Sequence, residues 1–198
     1  MFQTASGVVI PFPEMIKEEF QTFENRILFN LSFENLKSFV NEFIDQLPEP
    51  MFFVLEMPMS QQEEAQLRTD DTQSFHKKIC YLEGQSKEQI SNIFNNYGEI
   101  LLNDGISQFA VYSHAVKDGF YIQKYKVVSI YSHAPEKYID FLKNYGLEQT
   151  DNLITAWDTF SQESPGQAER VEINEVDIYC VYDELMKMGM YVAKITED

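Results

Sequence analysis

The sequence predicts an α+β domain, an antiparallel or mixed sheet with helices packed on one face, built from about three strand–strand–helix units. Three observations lead there. Apolar residues switch along the chain between the two-residue period of strands and the three-to-four-residue spacing of helices. Successive strand candidates are joined by short connections, which favours antiparallel neighbours. Three helical stretches stop at glycine, in Asn96-Tyr97-Gly98, Asn144-Tyr145-Gly146 and Met188-Gly189. These stops recur roughly every 45 residues, within the range of recurring structural units. A length of 198 residues suits a single domain, here 1–198, with residues 1–50 as a helical N-terminal segment packed on it.

Residues 1–12 read as an irregular arm or short edge strand, broken by Gly7, Pro11 and Pro13. Met15, Phe20, Phe23, Ile27 and Leu28 give a loose helical spacing and predict a helix from Glu14 to Asn30. Ser32–Leu47 is a firmer helix, with Phe33, Leu36, Phe39, Val40, Phe43, Ile44 and Leu47 on one stripe, and Pro48 and Pro50 ending it. Met51–Met57 is a continuous apolar run and predicts a buried strand. Residues 59–75 are polar and predict a long loop with one helical turn at Ser60–Leu67. His76–Leu82 is the next strand. Ser86-x-x-Gln89 is a capping box that opens a helix to Tyr97, with Gly98 as its left-handed cap.

Ile106–Ser113 is a strand, Lys117-Asp118-Gly119 a turn, and Phe120–Tyr131 one long strand. Pro135 can open a helix that Gly146 closes. Leu153–Phe160 predicts a strand with Trp157 inward and Asp158 outward, and Ser161–Arg170 a loop. Val171–Ile173 pairs back, Ile178–Met188 is a helix, and Met190–Ile195 a last strand.

The net charge is −17, from 32 acids against 15 bases. It is concentrated at both ends, while the middle of the chain is nearly neutral. Direct binding to nucleic-acid phosphates or to an anionic membrane needs a basic footprint that this chain lacks. A basic protein partner is the complement. Cys80 and Cys180 sit in apolar surroundings and predict two buried thiols rather than a disulfide scaffold. The N-terminal stretch lacks the basic and long apolar regions of a signal peptide, and no apolar run approaches a membrane span. The expectation is a cytoplasmic protein.

Catalytic templates are missing: no glycine-rich phosphate loop, no G-x-S-x-G, no H-E-x-x-H. No cofactor is implied. Asp70-Asp71 lacks calcium-loop spacing and reads as a solvated turn. Tyr-Ser-His-Ala occurs twice, at 112–115 and 131–134. His114 and His133, with Asp104 or Asp118, have the donor types of a transition-metal site, and either histidine could act as a base. Two strands of one hairpin run in opposite directions, which sets the two copies at opposite ends of the pair. The acidic surface is the stronger candidate: Glu169, Glu172, Glu175 and Asp177, with Asp183 and Glu184 on the following helix. Close carboxylates repel one another, and a basic partner relieves them.

The whole-chain profile is small, strongly acidic, aromatic-rich, α+β and without a catalytic signature. It resembles that of bacterial toxin-immunity proteins. That resemblance implies a non-enzymatic protein that neutralises a basic toxin or nuclease through an acidic face. Two other readings stand beside it. One is a small-molecule or metal-dependent enzyme using His114 and His133. The other is a nucleic-acid mimic, which needs carboxylates in phosphate-like rows.

Overall fold

The computed structural model of the protein describes residues 2–70 and 72–197. Asp71 of the Asp70-Asp71 pair lies outside the described residues. In chain order the elements are β1 (Val8–Val9), β2 (Glu19–Phe23), β3 (Arg26–Phe29), α1 (Phe33–Gln46), β4 (Met51–Pro58), α2 (Gln61–Leu67), β5 (His76–Gln85) and α3 (Lys87–Asn103). There follow β6 (Gln108–Ser113), β7 (Gly119–Ile122), β8 (Val128–Tyr131), α4 (Ile139–Asn144), β9 (Glu148–Gln149), β10 (Gln167–Ala168), α5 (Ile178–Lys187) and β11 (Tyr191–Glu197).

The fold is α+β. Nine strands form one mixed sheet in the order β11-β5-β4-β6-β7-β8-β3-β2-β9. Every pairing is antiparallel except that of β2 with β9. Alternate residues of the central strands point to one face, where α1, α3, α4 and α5 cover them. Phe53 and Leu55 of β4, Phe109 and Val111 of β6, and Phe120 and Ile122 of β7 meet Phe39 and Phe43 of α1 and Ile90, Ile93 and Phe94 of α3 in one continuous core.

Two of the three expected strand–strand–helix units are present, as β4-β5-α3, with α2 between its strands, and β7-β8-α4. The unit expected to close at Gly189 is not formed, because residues 153–160 contain no strand, and a different one, β2-β3-α1, lies where a helix was expected. Residues 14–30 form a hairpin, so the N-terminal 50 residues contain one α-helix and two strands of the main sheet. Two alternating runs, Phe20–Phe23 and Ile27–Phe29, flank the turn at Glu24-Asn25. The inserted turn gives the summed pattern a false helical spacing.

Gly98 is not a helix stop. It is buried inside α3, which continues through Leu101 and Leu102 to Asn103. Gly146 (φ 81°) and Gly189 (φ 104°) do adopt the left-handed conformation of a helix terminator. The long strand expected over 120–131 is two strands, β7 and β8, joined by a 3-10 turn at Lys124–Lys126. Tyr125 (φ 59°) and Lys126 (φ 58°) are left-handed there, although neither is glycine.

Residues 153–160 contain no strand. Thr155 and Asp158 form a capping box that opens a 3-10 turn at Ala156–Thr159. Trp157, expected inside, is 47% exposed and packs edge-on against Tyr125. Cys80 is buried, whereas Cys180 is exposed on α5.

A second, smaller apolar cluster lies on the opposite face of the sheet. The N-terminal arm (Ala5, Val8, Ile10, Ile16) and Ala156 pack against Val127, with Leu28 of β3 beside them. Gln21 of β2 ties the 151–153 segment behind the hairpin through the Asp151 carbonyl (2.9 Å) and the Leu153 N–H (3.3 Å). The arm is pinned at a three-way backbone junction. Gly7 donates to the Asn103 carbonyl (2.9 Å), Gly105 to the Glu169 carbonyl (2.9 Å), and Glu169 back to the Gly7 carbonyl (2.8 Å).

A side chain at Gly105 would collide with the Gly7 carbonyl and the Glu169 N–H, which are backbone atoms that cannot step aside. Gly105→Ala is therefore expected to cost roughly 1–3 kcal/mol in chemical denaturation, as overpacking does. Gly98→Ala is the contrast. Its methyl group meets Phe94 side-chain atoms at 3.6 and 3.7 Å, ordinary contact, inside a helix. It should be neutral or stabilise by up to about 1 kcal/mol.

Candidate functional site

The topology places both Tyr-Ser-His-Ala copies at one end of the sheet. β6 and β8 both run antiparallel to the intervening β7, so they share a direction and end at the same edge. The expected separation assumed one strand where there are two. Tyr112, Gly119 and Tyr131 form a single row across the three strands. Gly119 leaves room for the Tyr112 ring to lie over it, and the Tyr112 and Tyr131 rings approach to 6.2 Å between centroids.

The two serines do the same work. Ser113 Oγ accepts from the Ala115 N–H (3.1 Å), and Ser132 Oγ accepts from the Ala134 N–H (3.0 Å). The repeated motif is thus a repeated turn: a tyrosine on the back face, a buried serine closing the turn, and an exposed histidine at its tip. His114 is further fixed by its N–H to the Pro50 carbonyl (2.9 Å) and by its ring against Phe52 at 4.7 Å.

The candidate carboxylates are already committed. Asp104 is 0% exposed and accepts from the N–H groups of Ser107 (2.8 Å) and Val171 (3.1 Å). Asp118 accepts from the Tyr138 hydroxyl (2.9 Å) and pairs with Lys137. Burial raises the Asp118 pKa, but Lys137 and the Ser132 and Tyr138 hydroxyls outweigh it and hold the carboxyl below its ordinary value. Among the described residues no three His, Cys, Asp or Glu side chains converge as metal ligands.

Sequence reading passes over the third histidine. His76 opens β5, and its Nδ1 lies 3.1 Å from the carboxylate of Glu64 on α2, which is itself buried. Ser60 and Glu63 form the capping box that sets α2, which is the helical turn expected at Ser60–Leu67. Glu63 also accepts from the buried Lys78 ammonium (2.7 Å). The Ser60-x-x-Glu63 spacing is the signal that could have located this end of the molecule.

The acidic residues of the C-terminal segment separate into two kinds. Asp177 is the N-cap of α5, accepting from the N–H groups of Tyr179 and Cys180 (both 3.0 Å) and from Arg170 (3.2 Å). Glu184 pairs with Lys187 at 2.7 Å. Glu169, Glu172, Glu175 and Asp183 are exposed, and none forms an ion pair among the described residues. Asn174 (φ 52°) and Glu175 (φ 63°) form the tight turn bracketed by Ile173 and Val176, which projects Glu175 outward. Beside this turn a cleft of about 620 Å³ lies between the start of α2 and α5, with Arg170, Asp177, Tyr179 and Asp183 in its wall.

Compared with family models, curated proteins and solved structures, the chain finds no match. The case for function therefore rests on its own surfaces. Among the described residues no helix is long and apolar enough to cross a membrane.

The second notable surface is the back of the sheet. The arm and residues 151–160 cover β2 and β3, but among the described residues no second apolar cluster packs on β7, β6, β4, β5 and β11 there. This half of the face is aromatic. Phe52 stacks between Tyr81 (5.9 Å) and Tyr112 (5.3 Å), and Tyr81 stacks on Tyr191 (6.3 Å), which is 45% exposed at the sheet edge. Such cross-strand aromatic pairs stabilise the sheet, but as a group they leave a broad amphipathic surface of the kind used in protein recognition.

Proposed function

We propose that the protein is a non-enzymatic, acidic protein-binding protein that holds a basic partner. In its sharpest form the reading is that of a bacterial, cytoplasmic immunity protein neutralising a basic toxin or nuclease. One observation carries it. Glu169, Glu172, Glu175 and Asp183 are exposed, and among the described residues none forms an ion pair, at the acidic end of a chain of net charge −17. Like charges held together on a rigid surface destabilise the free protein slightly. They steer an oppositely charged partner and raise its association rate.

The test separates the free carboxylates from the structural ones. In the variant Glu169→Gln/Glu172→Gln/Glu175→Gln/Asp183→Asn, Asp177 is kept because it caps α5. Wild-type protein used as bait in its native host is expected to retain a basic protein that added salt releases. With the purified pair, the variant should associate at least about tenfold more slowly at low ionic strength, with dissociation little changed. A retained partner that is not basic, or an unchanged association rate, would sink this surface as the site.

A further inference from the structure

The uncovered aromatic face contains a bounded socket. Paired residues run across four strands in the row Tyr81, Val54, Ala110, Tyr121. Val54 and Ala110 are small and buried, and they form the floor. Tyr81 and Tyr121 stand at either end, three strand spacings or roughly 14 Å apart at the backbone. The stacked Phe52–Tyr112 pair (5.3 Å) forms one long wall, and Glu56 stands opposite. The enclosed depression is about 310 Å³.

The chemistry of this lining is specific. Aromatic faces attract cations, and a carboxylate at the rim supplies a formal charge and two acceptor oxygens. The phenols cannot compete as anions near neutral pH. Burial first, and then the charge of Glu56 and of neighbouring tyrosines, pushes Tyr112 and Tyr121 far above the ordinary phenol value. Tyr121 donates its hydroxyl to Gln108 (3.1 Å), which fixes that ring. Lys77 reaches Glu56 from the neighbouring strand, Nζ to Oε2 at 3.3 Å, and so already holds one edge of the carboxylate. A planar guanidinium can slide along standing rings and share such a carboxylate, which a compact hydrated ammonium does less well.

We propose that this depression is a cation socket that receives an arginine side chain from a basic protein partner. The assignment rests on the reading that the partner is basic and adds a second contact, on a different face from the acidic α5 end. It commits to arginine on a protein because the socket is open to solvent on a broad aromatic surface, where a polypeptide can lie across the strands. Tyr191 continues that surface to the sheet edge.

A penta-arginine peptide and its neutral penta-citrulline counterpart test it by NMR titration, with tetramethylammonium chloride as the free-cation arm. Penta-arginine should shift the ring signals of Tyr81, Tyr112 and Tyr121, and penta-citrulline should not. Tyr81→Leu, which keeps bulk and removes the π face, and Glu56→Gln should each weaken binding roughly fivefold or more, with melting curves confirming folded protein. The variant neutralised at Glu169, Glu172, Glu175 and Asp183 should still show the same ring shifts at saturation. Equal binding of penta-citrulline, or Tyr81→Leu and Glu56→Gln binding like wild type, would overturn the socket while leaving the acidic α5 surface standing. Tetramethylammonium binding as tightly as the peptide at the same rings would assign the site to a free small cation instead and overturn the arginine assignment. An unchanged association rate in the neutralised variant with the ring shifts intact would remove the acidic surface and keep the socket.

Discussion

Phe39→Ala is expected to lower the stability of the fold by about 3–5 kcal/mol, the range for removing a fully buried aromatic side chain. Phe39 is 0% exposed and lies where α1 and α4 meet the sheet. Its ring meets Phe29 of β3 (5.2 Å), Phe120 of β7 (5.7 Å), Phe43 of α1 (5.6 Å), Phe141 of α4 (5.9 Å) and Tyr145 just after α4 (6.2 Å). Two of these contacts are edge-to-face with the sheet, at interplanar angles of 67° and 76°, the arrangement that ring quadrupoles favour. The cavity left by alanine cannot close by moving one neighbour, because those neighbours belong to separate elements. Chemical denaturation should show a lower midpoint with an unchanged slope. Phe75→Ala, at an exposed ring beneath Arg68 (4.2 Å), should cost less than about 1 kcal/mol. A loss below about 1 kcal/mol at Phe39 would show that α1 is not locked to the sheet through this cluster.

The Phe39 stripe was legible in the sequence because α1 is amphipathic over four turns and prolines close it on a visible boundary. β4 and β6 were legible for the complementary reason, since their apolar runs are bounded by Pro58 and by Ser113. What escaped was every feature carried by long-range context. The β2–β3 hairpin imitates a helix because its turn shifts two alternating runs into a three-to-four spacing. The β7–β8 break is invisible because Tyr125 and Lys126 adopt left-handed conformations that local chemistry does not favour, so tertiary packing imposes them. That single missed turn reversed the inferred placement of His133 relative to His114. Asp177 looked like one more free carboxylate because acidity is local, whereas its role as a cap depends on where α5 begins. The aromatic socket could not be seen either. Its seven side chains come from four strands, and only the pairing register brings them together.

Between pH 8 and about pH 9 the protein is expected to become more stable as the pH rises, and Lys126 is the reason. Lys126 is buried, and its ammonium donates to the carbonyls of Leu101 (3.1 Å) and Asp104 (2.6 Å), pinning the end of α3 to the β7–β8 turn. Burial pushes its pKa down to about 8, with the Asp104 carboxylate pulling the other way. The unfolded chain holds the proton to about 10.4. Below pH 8 both states are protonated and this group adds no pH dependence. Above it the folded protein sheds the proton while the unfolded chain keeps it, so stability rises with pH, by on the order of 3 kcal/mol over the full window. Cys80, Tyr121 and Tyr138 act in the opposite sense. Burial pushes the Cys80 thiol up to about 11, so from about pH 9 the unfolded chain loses a proton that the folded one retains, which offsets the Lys126 rise from there on. Burial raises both phenols, so above about pH 10 the unfolded chain loses protons that the folded one retains, and stability falls. The maximum should therefore lie on the alkaline side of neutrality. Lys126→Met removes the rise, and at pH 7 it should also cost about 1–3 kcal/mol, because it leaves the buried Leu101 and Asp104 carbonyls without their donor. Urea denaturation from pH 6 to 11 on wild type and Lys126→Met decides the matter: a rise that persists in Lys126→Met would place its origin in another group.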